Sequence, residues 1–337
     1  MRWGLIARSE TDRGLGIQTY AMYENLQPDK TLLVIVPKSG FASHPELYPD
    51  AEQVTLTVAH GLGVLDEEPV RDWWKDLDVV ISVETLYDWR LVEWAKADGV
   101  RTIVHGNPEF WMATNPQPDV WWWPTAWRLS HLPTGPIVPV PVDDDAEFTA
   151  AHPDTSGNLR VLHIAGNGAM ADRNGTNICL DAMRRVPTGA QLDVYSQTNV
   201  PKTHHMRIRT LKPVANRWEM FRGQHALLIP RRYGGLCLPV NEAMASGLMV
   251  MMSDCLPNTQ WPISPLASDP SRVVKMQTGP VETYDVGANI VANHLKHFAQ
   301  NRAGVHAYQE RAREWAERNR WSVLKETYYD QINSARI

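Results

Sequence analysis

The sequence predicts an α/β protein built from two tandem doubly wound domains. Three observations support this prediction: strands alternate with helices in the first half, the composition changes over residues 137–157, and the same alternation then starts again. Such alternation is typical of parallel sheets with helices on both faces. The length of 337 residues suits two domains of ordinary size.

In the first half, each predicted strand is a short apolar run that ends at a polar segment. Thr31–Pro37 (TLLVIVP) is rich in β-branched residues, and Asp78–Glu84 (DVVISVE) repeats the pattern. The predicted elements are strands Trp3–Arg8, Thr31–Pro37, Gln53–Ala59, Asp78–Glu84 and Arg101–His105, and helices Ile17–Leu26 and Leu86–Ala97.

A linker is predicted near residue 150. Ile137–Asp143 has prolines two residues apart, which disfavours a central strand, and Asp143–Gly157 is acidic and rich in small residues. We therefore predict an N-terminal domain over residues 1–150 and a second domain over 151–310. A C-terminal helix over 311–337 is expected to pack back toward the first domain.

The second half repeats the pattern. The predicted elements are strands Leu159–Ala165, Gln191–Ser196, Ala226–Pro230, Leu248–Ser253 and Val273–Met276, and helices Gly175–Val186, Trp218–Phe221 and Pro239–Ser246. Two longer helices follow, and their apolar stripes are Val286, Ile290, Leu295 and Phe298 in one and Trp321, Leu324, Tyr328 and Ile332 in the other.

Composition excludes several classes of protein. The net charge of −5 argues against a basic nucleic-acid coat. The three cysteines, Cys179, Cys237 and Cys255, share no ligand spacing, which indicates a reducing compartment and no cysteine-based zinc site. No long apolar run and no leader pattern occurs, so neither a membrane span nor a signal peptide is predicted, and a cytoplasmic location is expected.

Ligands of doubly wound sheets bind at the carboxyl ends of strands, often against the start of a helix. Gly14 and Gly16 lie at one such place and let the backbone approach an anion. The third glycine of the dinucleotide fingerprint is missing there, which disfavours a hydride-transfer enzyme. Arg173 precedes Gly175 at a second helix start, an arrangement suited to a diphosphate.

The segment Pro230–Gly247 is the most informative of these strand ends. Glycines at 234 and 235 precede a helix that carries Glu242. A carboxylate one turn into the helix is placed to accept hydrogen bonds from a diol such as ribose. The alternative interpretation is a glutamate that is simply exposed on the surface.

Gly234–Gly247 (GGLCLPVNEAMASG) resembles the donor-site motif of retaining glycosyltransferases of family 4, whose GT-B fold has two Rossmann-like domains with a cleft between them. The usual motif is Glu-Gly-Phe-Gly-Leu-Pro-x-x-Glu-Ala-Met-Ala-x-Gly, and the match is specific from Leu238 to Gly247. In that family the second glutamate, here Glu242, holds the ribose of the nucleotide. The first glutamate holds hydroxyls of the donor sugar, but this chain has Gly234 at that position.

The resemblance implies a set of site residues. Amides of the 235–237 stretch would face the sugar and phosphate, Asn174 replaces a usual lysine beside Arg173, and His105 matches a histidine that contacts the donor sugar. A structural role for His105 is the alternative. The predicted donor-binding residues are Gly14, Gly16, Arg173, Asn174, Arg231, Gly234, Gly235, Leu236, Cys237 and Glu242, of which Arg173 and Glu242, together with His105, are predicted to be catalytic. The acceptor candidates are Arg13, Glu84 and Glu109.

The implied function is transfer of a sugar with retention, with UDP-glucose as the expected donor. No DxD-type motif lies near the donor loops, so neither a metal nor a cofactor is expected. The segments HIAG…DRNGT and RRYGGLCLP resemble glycosyltransferases carried by bacteriophages, some of which glucosylate hydroxymethylated bases in DNA. A DNA acceptor would need a basic groove and an extruded base, and Arg8, Arg13, Arg128 and residues 202–209 are the basic candidates.

The sequence is also compatible with other functions. The acceptor of the transferase is alternatively a lipid, a saccharide or a small molecule. A nucleotide-sugar epimerase shares the same architecture and needs no acceptor. A third alternative is a non-catalytic protein that binds a sugar nucleotide or DNA.

Overall fold

The computed structural model describes residues 1–11, 14–37, 42–59, 62–152, 157–166, 172–196, 205–211, 216–276 and 279–335. These residues form two compact units. The first consists of Met1–Val140 with Trp321–Ile337, and the second is Pro141–Arg320. No helix in the described ranges is long and apolar enough to cross a membrane.

The elements are numbered in chain order. The strands are β1 Trp3–Arg8, β2 Lys30–Ile35, β3 Glu52–Thr55, β4 Thr57–Ala59, β5 Leu62–Val64, β6 Val79–Glu84, β7 Arg101–Gly106, β8 Val120–Trp122, β9 Leu159–Gly166, β10 Ala190–Ser196, β11 Ile208–Leu211, β12 Ala226–Ile229, β13 Met249–Ser253, β14 Ser264–Leu266, β15 Ser268–Met276 and β16 Gly279–Val286. The helices are α1 Gly14–Leu26, α2 Glu67–Trp74, α3 Arg90–Asp98, α4 Thr176–Arg184, α5 Leu238–Ala245, α6 Ala288–Gln300, α7 Arg302–Arg318 and α8 Trp321–Ser334.

Each unit is centred on a six-stranded parallel sheet. The strand order is β3-β2-β1-β6-β7-β8 in the first unit and β11-β10-β9-β12-β13-β14 in the second. Both orders are those of the doubly wound dinucleotide-binding fold, in which ligands bind where the order reverses. The reversal falls between β1 and β6 and between β9 and β12, so the loops after these strands are the places for a site.

The core of each unit lies on both faces of its sheet. Ile6, Leu33 and Ile81 of the first sheet are fully buried, as are Leu228 and Met251 of the second. Strands covered on both faces need continuous apolar runs, and this is why they were recognisable in the sequence.

The acidic segment after residue 142 belongs to the second unit and does not form a linker. The first unit ends at Val140, before the expected boundary at 150. Arg320 donates to the main-chain oxygen of Asp143 at 3.1 Å, and the amide of Ala151 donates to the carbonyl of Gln224 at 2.7 Å. These bonds order a stretch that its composition alone marks as flexible.

The C-terminal segment contains two helices instead of one helix over 311–337. Helix α7 ends at Arg318 within the second unit, and α8 begins at Trp321 within the first. In the first unit, Tyr328 of α8 donates from its hydroxyl to the carbonyl of Pro139 at 2.9 Å.

Several further elements differ from the sequence expectation. The stretch Gln53–Ala59 divides between β3 and β4, and Val273–Met276 lies in an antiparallel hairpin, β15–β16, outside the second sheet. Val286 ends β16 and is not part of a helix. The sequence reasoning also omitted α2, although the buried Val70, Trp73 and Trp74 have helical spacing.

Candidate functional site

The loop after β12 lies at the point where the strand order of the second unit reverses. Gly234 has a φ of 120°, a backbone conformation that favours glycine. A glutamate at this position, as in the usual motif, would be strained. The glycine is therefore matched to the loop conformation.

The main-chain N–H groups of residues 234–238 have no acceptor among the residues that the structure describes. Gly234, Gly235 and Cys237 are nevertheless buried. Buried N–H groups in proteins are almost always hydrogen-bonded. The row of N–H donors at residues 234–238, three on buried residues and two on half-buried ones, leads into the start of α5 and is suited to an anion such as a phosphate.

Arg231 gives the loop its shape. Its side chain is buried, and it donates from Nε to the carbonyl of Tyr233 at 3.0 Å and from Nη1 to the carbonyl of Leu236 at 2.6 Å. In a trans peptide the C=O and the following N–H point in opposite directions. The N–H groups of Gly234 and Cys237 therefore point away from Arg231. The Nε and Nη1 groups of Arg231 hold the loop, and its contact with the donor stays a prediction.

Arg173 lies against the same loop. The amide of Arg232 donates to the carbonyl of Arg173 at 2.9 Å, and the Arg173 guanidinium carbon lies 5.9 Å from the centre of the Tyr233 ring. Gly175 allows the loop after β12 to approach the start of α4, since a Cβ at Gly175 would lie 2.7 Å from the carbonyl oxygen of Pro230. The structure thus brings Arg173 and the amides of residues 234–238 to one edge of the sheet.

The start of α4 is already capped within the chain. Asp172, with a φ of 54°, accepts hydrogen bonds from the amides of Thr176 at 2.6 Å and Asn177 at 3.1 Å. Asn174 donates to the carbonyl of Ile164 at 3.0 Å, so its side chain braces the end of β9. Of this segment, Arg173 is the residue that we carry into the proposed site.

Glu242 is buried, which excludes the interpretation of an exposed surface glutamate. Its side chain is 12% exposed, and Arg217 Nε lies 3.0 Å from its Oε1. That Nε is not aligned for a hydrogen bond, and the described residues donate none to the carboxylate. Burial raises the pKa of Glu242, the Arg217 charge opposes this, and the Asp143 charge adds to it.

A buried histidine, His163, connects the elements next to the candidate site. His163 donates from Nδ1 to the carbonyl of Leu228 at 2.8 Å, and in the neutral ring its Nε2 accepts from the hydroxyl of Thr176 at 2.9 Å. Burial lowers its pKa. The neutral ring therefore ties β9 to β12 and α4, the elements that carry the site loops.

In the first unit, His105 is a core histidine. Its Nε2 lies 2.9 Å from the carbonyl of Val138, and its Nδ1 lies 3.2 Å from the amide nitrogen of Gln18. An amide nitrogen only donates, so Nδ1 accepts and Nε2 carries the proton. Burial lowers the pKa of His105 to about 4. Because both nitrogens are used inside the unit, we do not carry His105 into the proposed site.

The glycines of the first unit have a packing reason. A Cβ at Gly16 would lie within 1.9 Å of the carbonyl oxygen of Glu10, so the loop after β1 passes directly over the start of α1. Gly14 is the first residue of that helix. Arg13, a candidate acceptor residue, lies outside the described residues.

The two acidic acceptor candidates lie at neighbouring strand ends. Glu84 ends β6 with a φ of 59°, and its carbonyl accepts from the amide of Asn107 at 3.3 Å. Asn107 donates from its side chain to Glu109 at 2.9 Å, and Glu109 is 2% exposed. Backbone strain at Glu84 is typical of functional sites. The structure therefore links Glu84 and Glu109 through Asn107 at one edge of the first sheet.

Arg217 and Asp143, the charged neighbours of Glu242, are not predicted from the sequence. They lie far from Glu242 in the chain, and no local spacing connects the three residues. The described ranges contain no cluster of His, Cys, Asp or Glu side chains arranged to hold a metal ion. The expected metal independence stays a prediction.

Comparisons with known proteins identify the fold. No family model matches the chain, and no curated protein matches it by sequence. Solved structures do match: HepE from Anabaena in complex with UDP-glucose (TM-score 0.70, 12% identity, 99% of this chain and 100% of that chain), and sucrose-phosphate synthase from Thermosynechococcus elongatus (0.70, 13%, 99% and 100%). The lipopolysaccharide outer core galactosyltransferase WaaB also matches (0.68, 12%, 99% and 99%).

The chain therefore has the GT-B fold of two Rossmann-like units, and the predicted fold class is confirmed. At identities of 12% and 13% the likeness establishes the fold alone.

Proposed function

We propose that this chain is a glycosyltransferase that uses a nucleotide-sugar donor and acts with retention. The observation that carries the proposal is the row of N–H groups at residues 234–238, which find no acceptor in the described structure. Arg173 lies beside this row and adds a positive charge. Fixed donors and a guanidinium at one place favour a diphosphate.

The same groups supply catalysis in this proposal. When the glycosidic bond to the diphosphate breaks, negative charge develops on the phosphate oxygen that leaves. Donors that are already in place stabilise this charge without reorganisation. The Arg231 guanidinium keeps the loop in shape, and Arg173 interacts more strongly with the leaving group than with the intact donor.

Glu242 is assigned to the ribose of the donor. Its carboxylate is buried beside Arg217 and accepts no hydrogen bond from the described residues, so its lone pairs are available to two hydroxyl groups. A ribose diol matches this capacity. The binding requires the ionised carboxylate, since a protonated one accepts less well.

Retention is supported by the motif resemblance. In the family with the Glu-x7-Glu motif, an oxygen of the leaving phosphate assists removal of the proton from the incoming hydroxyl on the same face of the sugar. The protein then positions the reactants and stabilises charge. Because residue 234 is a glycine, this chain binds the donor sugar without the first carboxylate of the usual motif.

UDP-glucose is the proposed donor. The support is the sequence resemblance, together with the fold shared with HepE, whose solved complexes contain UDP and UDP-glucose. For the acceptor we propose a hydroxymethylated pyrimidine in DNA. Two of the basic candidates for a DNA groove are paired with carboxylates, Arg8 with Glu10 and Arg209 with Asp193. The DNA part of the proposal therefore rests on the resemblance to phage enzymes.

The test combines a panel of sugar nucleotides with hydroxymethylated DNA, unmodified DNA, and saccharide and lipid acceptors. Mass spectrometry of the products is expected to show one hexose added to the hydroxymethylated DNA. Transfer only to another acceptor would retain the transferase and replace the DNA proposal. Conversion of the donor without any acceptor would indicate an epimerase, and no donor turnover would indicate a binding protein.

A further inference from the structure

Arg217 attracts the Glu242 carboxylate without donating a hydrogen bond to it. Arg217 Nε lies 3.0 Å from Glu242 Oε1 but is not aligned with it, whereas Arg217 Nη2 donates to Asp143 Oδ2 at 2.8 Å. The Arg217 guanidinium also lies 5.2 Å from the centre of the Trp218 ring. Asp143 and Trp218 thus fix the arginine, while its charge acts on Glu242.

The charged groups around Glu242 have opposing effects. Burial and Asp143 raise the pKa of Glu242, and Arg217 lowers it. The pKa of Asp143 is itself raised by burial. Helix α7, which packs against α5, carries Arg313, whose guanidinium lies over Phe148. Arg320, just beyond α7, donates to the main-chain oxygens of Asp143 and Asp144.

We propose that Arg217 is a positioning residue of the donor site, which fixes the Glu242 carboxylate toward the ribose and keeps it ionised. This inference rests on the proposed function, because it assigns the ribose to Glu242. Arg217 does not use the carboxylate as a hydrogen-bond acceptor, so both oxygens remain available to the ribose hydroxyls. An arginine fully bonded to Glu242 would compete with the ribose.

The role predicts a pH dependence with a definite sign. Without the Arg217 charge, burial and Asp143 act unopposed, and Glu242 takes up a proton at a higher pH than in the wild type. A protonated Glu242 binds the ribose more weakly. The affinity of an Arg217→Ala variant for UDP should therefore fall relative to the wild type as the pH decreases.

The experiment is calorimetric titration of UDP into wild type, Arg217→Ala, Arg217→Gln and Arg217→Lys at pH 6, 7 and 8.5. The variant-to-wild-type ratio removes the titration of the UDP phosphate, because that titration is common to every protein. Protonation of Glu242 replaces charged hydrogen bonds by neutral ones, so we expect Arg217→Ala and Arg217→Gln to bind UDP about tenfold more weakly than the wild type at pH 6 and within about threefold of it at pH 8.5. Arg217→Lys should stay near wild type throughout.

Arg209→Ala is the matched control. Arg209 also pairs with a buried carboxylate, Asp193, which is 2% exposed, but this pair lies on β10 and β11. The control should bind UDP with the pH profile of the wild type. Thermal melts of every variant check folding. Arg217→Gln keeps an aliphatic stem and a polar end group, and it replaces the alanine variant if that variant does not fold.

A second ligand separates positioning from general destabilisation. With 2′-deoxy-UDP, which lacks one hydroxyl, the penalty of Arg217→Gln at pH 6 should shrink to about threefold. A penalty that is equal at all pH values and for both ligands would overturn the inference while leaving the proposed function intact. A wild type that binds no nucleoside diphosphate would instead remove the proposed function itself.

Discussion

Replacement of Glu242 by glutamine isolates the charge of the side chain that we propose binds the ribose. The change keeps the volume and helix propensity of the residue but converts charge-assisted hydrogen bonds into neutral ones. Charged hydrogen bonds contribute about 1.5–3 kcal/mol and neutral ones about 1 kcal/mol, so the loss is about 0.5–2 kcal/mol. UDP should therefore bind about 2- to 30-fold more weakly to Glu242→Gln.

The structure also defines the effect on folding. Glutamine loses the attraction to Arg217 but avoids burying a charge in a side chain that is 12% exposed, and these effects offset each other. The melting temperature should shift by no more than about 4 °C. Glu242→Ala removes one of the two carboxylates beside Arg217 and opens a cavity, so both affinity and stability should fall further.

The assay is calorimetric titration of UDP at pH 7.5 into wild type and both Glu242 variants, with thermal melts of each. Glu219→Gln is the control, because Glu219 is exposed and lies two residues after Arg217. Equal UDP affinity in all proteins would refute the ribose assignment. A large fall in melting temperature for Glu242→Gln, without a change in affinity, would make Glu242 a purely structural residue.

Three further predictions follow from the same geometry. Arg173→Ala should lower kcat and should lower kcat/KM for the donor by about one to two orders of magnitude, because in the proposed mechanism its charge acts on the departing diphosphate. Unchanged steady-state kinetics would show that Arg173 is only a loop contact. His105→Gln should leave UDP affinity unchanged but lower the melting temperature. As the pH falls from about 6.5 towards 4, the wild type should lose more unfolding free energy than His105→Gln, because burial lowers the pKa of His105 to about 4 and the unfolded chain therefore binds a proton that the folded chain excludes. Urea unfolding of both proteins at pH 7 and 5 measures the difference, and equal losses, or loss of UDP binding in His105→Gln, would contradict a core role for His105. Turnover should persist in excess EDTA, and a loss restored only by Mg²⁺ or Mn²⁺ would show that a metal takes part.

The sequence was sufficient for the architecture because of how the sheets are buried. Strands such as β6 and β12 are covered on both faces, so each is a continuous apolar run between polar ends. The loop from Gly234 into α5 was also recognisable, since glycines and a proline-containing helix start have local causes. Segments governed by distant contacts were misjudged. The acidic stretch after Val142 has the composition of a linker, and only its bonds to Arg320 and Gln224 show otherwise.

Residue type alone does not show which way a side chain of the candidate site points. Arg231 and Arg173 look equivalent in the sequence, yet one guanidinium bonds to carbonyls within the loop and the other lies over Tyr233. His105 illustrates the same limit, because a ligand-binding and a core histidine differ only in their surroundings. The neighbours of Glu242 come from separate parts of the chain, so no spacing rule identifies Arg217 or Asp143.

Amide hydrogen exchange at residues 234–238, with and without saturating UDP, tests whether this loop binds the diphosphate. We expect UDP to slow exchange at these amides by about tenfold or more, because the phosphates accept their hydrogen bonds. Uridine, which lacks the diphosphate, should leave them unprotected. Binding of UDP without protection at 234–238, or with equal protection by uridine, would contradict the claim that this loop holds the diphosphate.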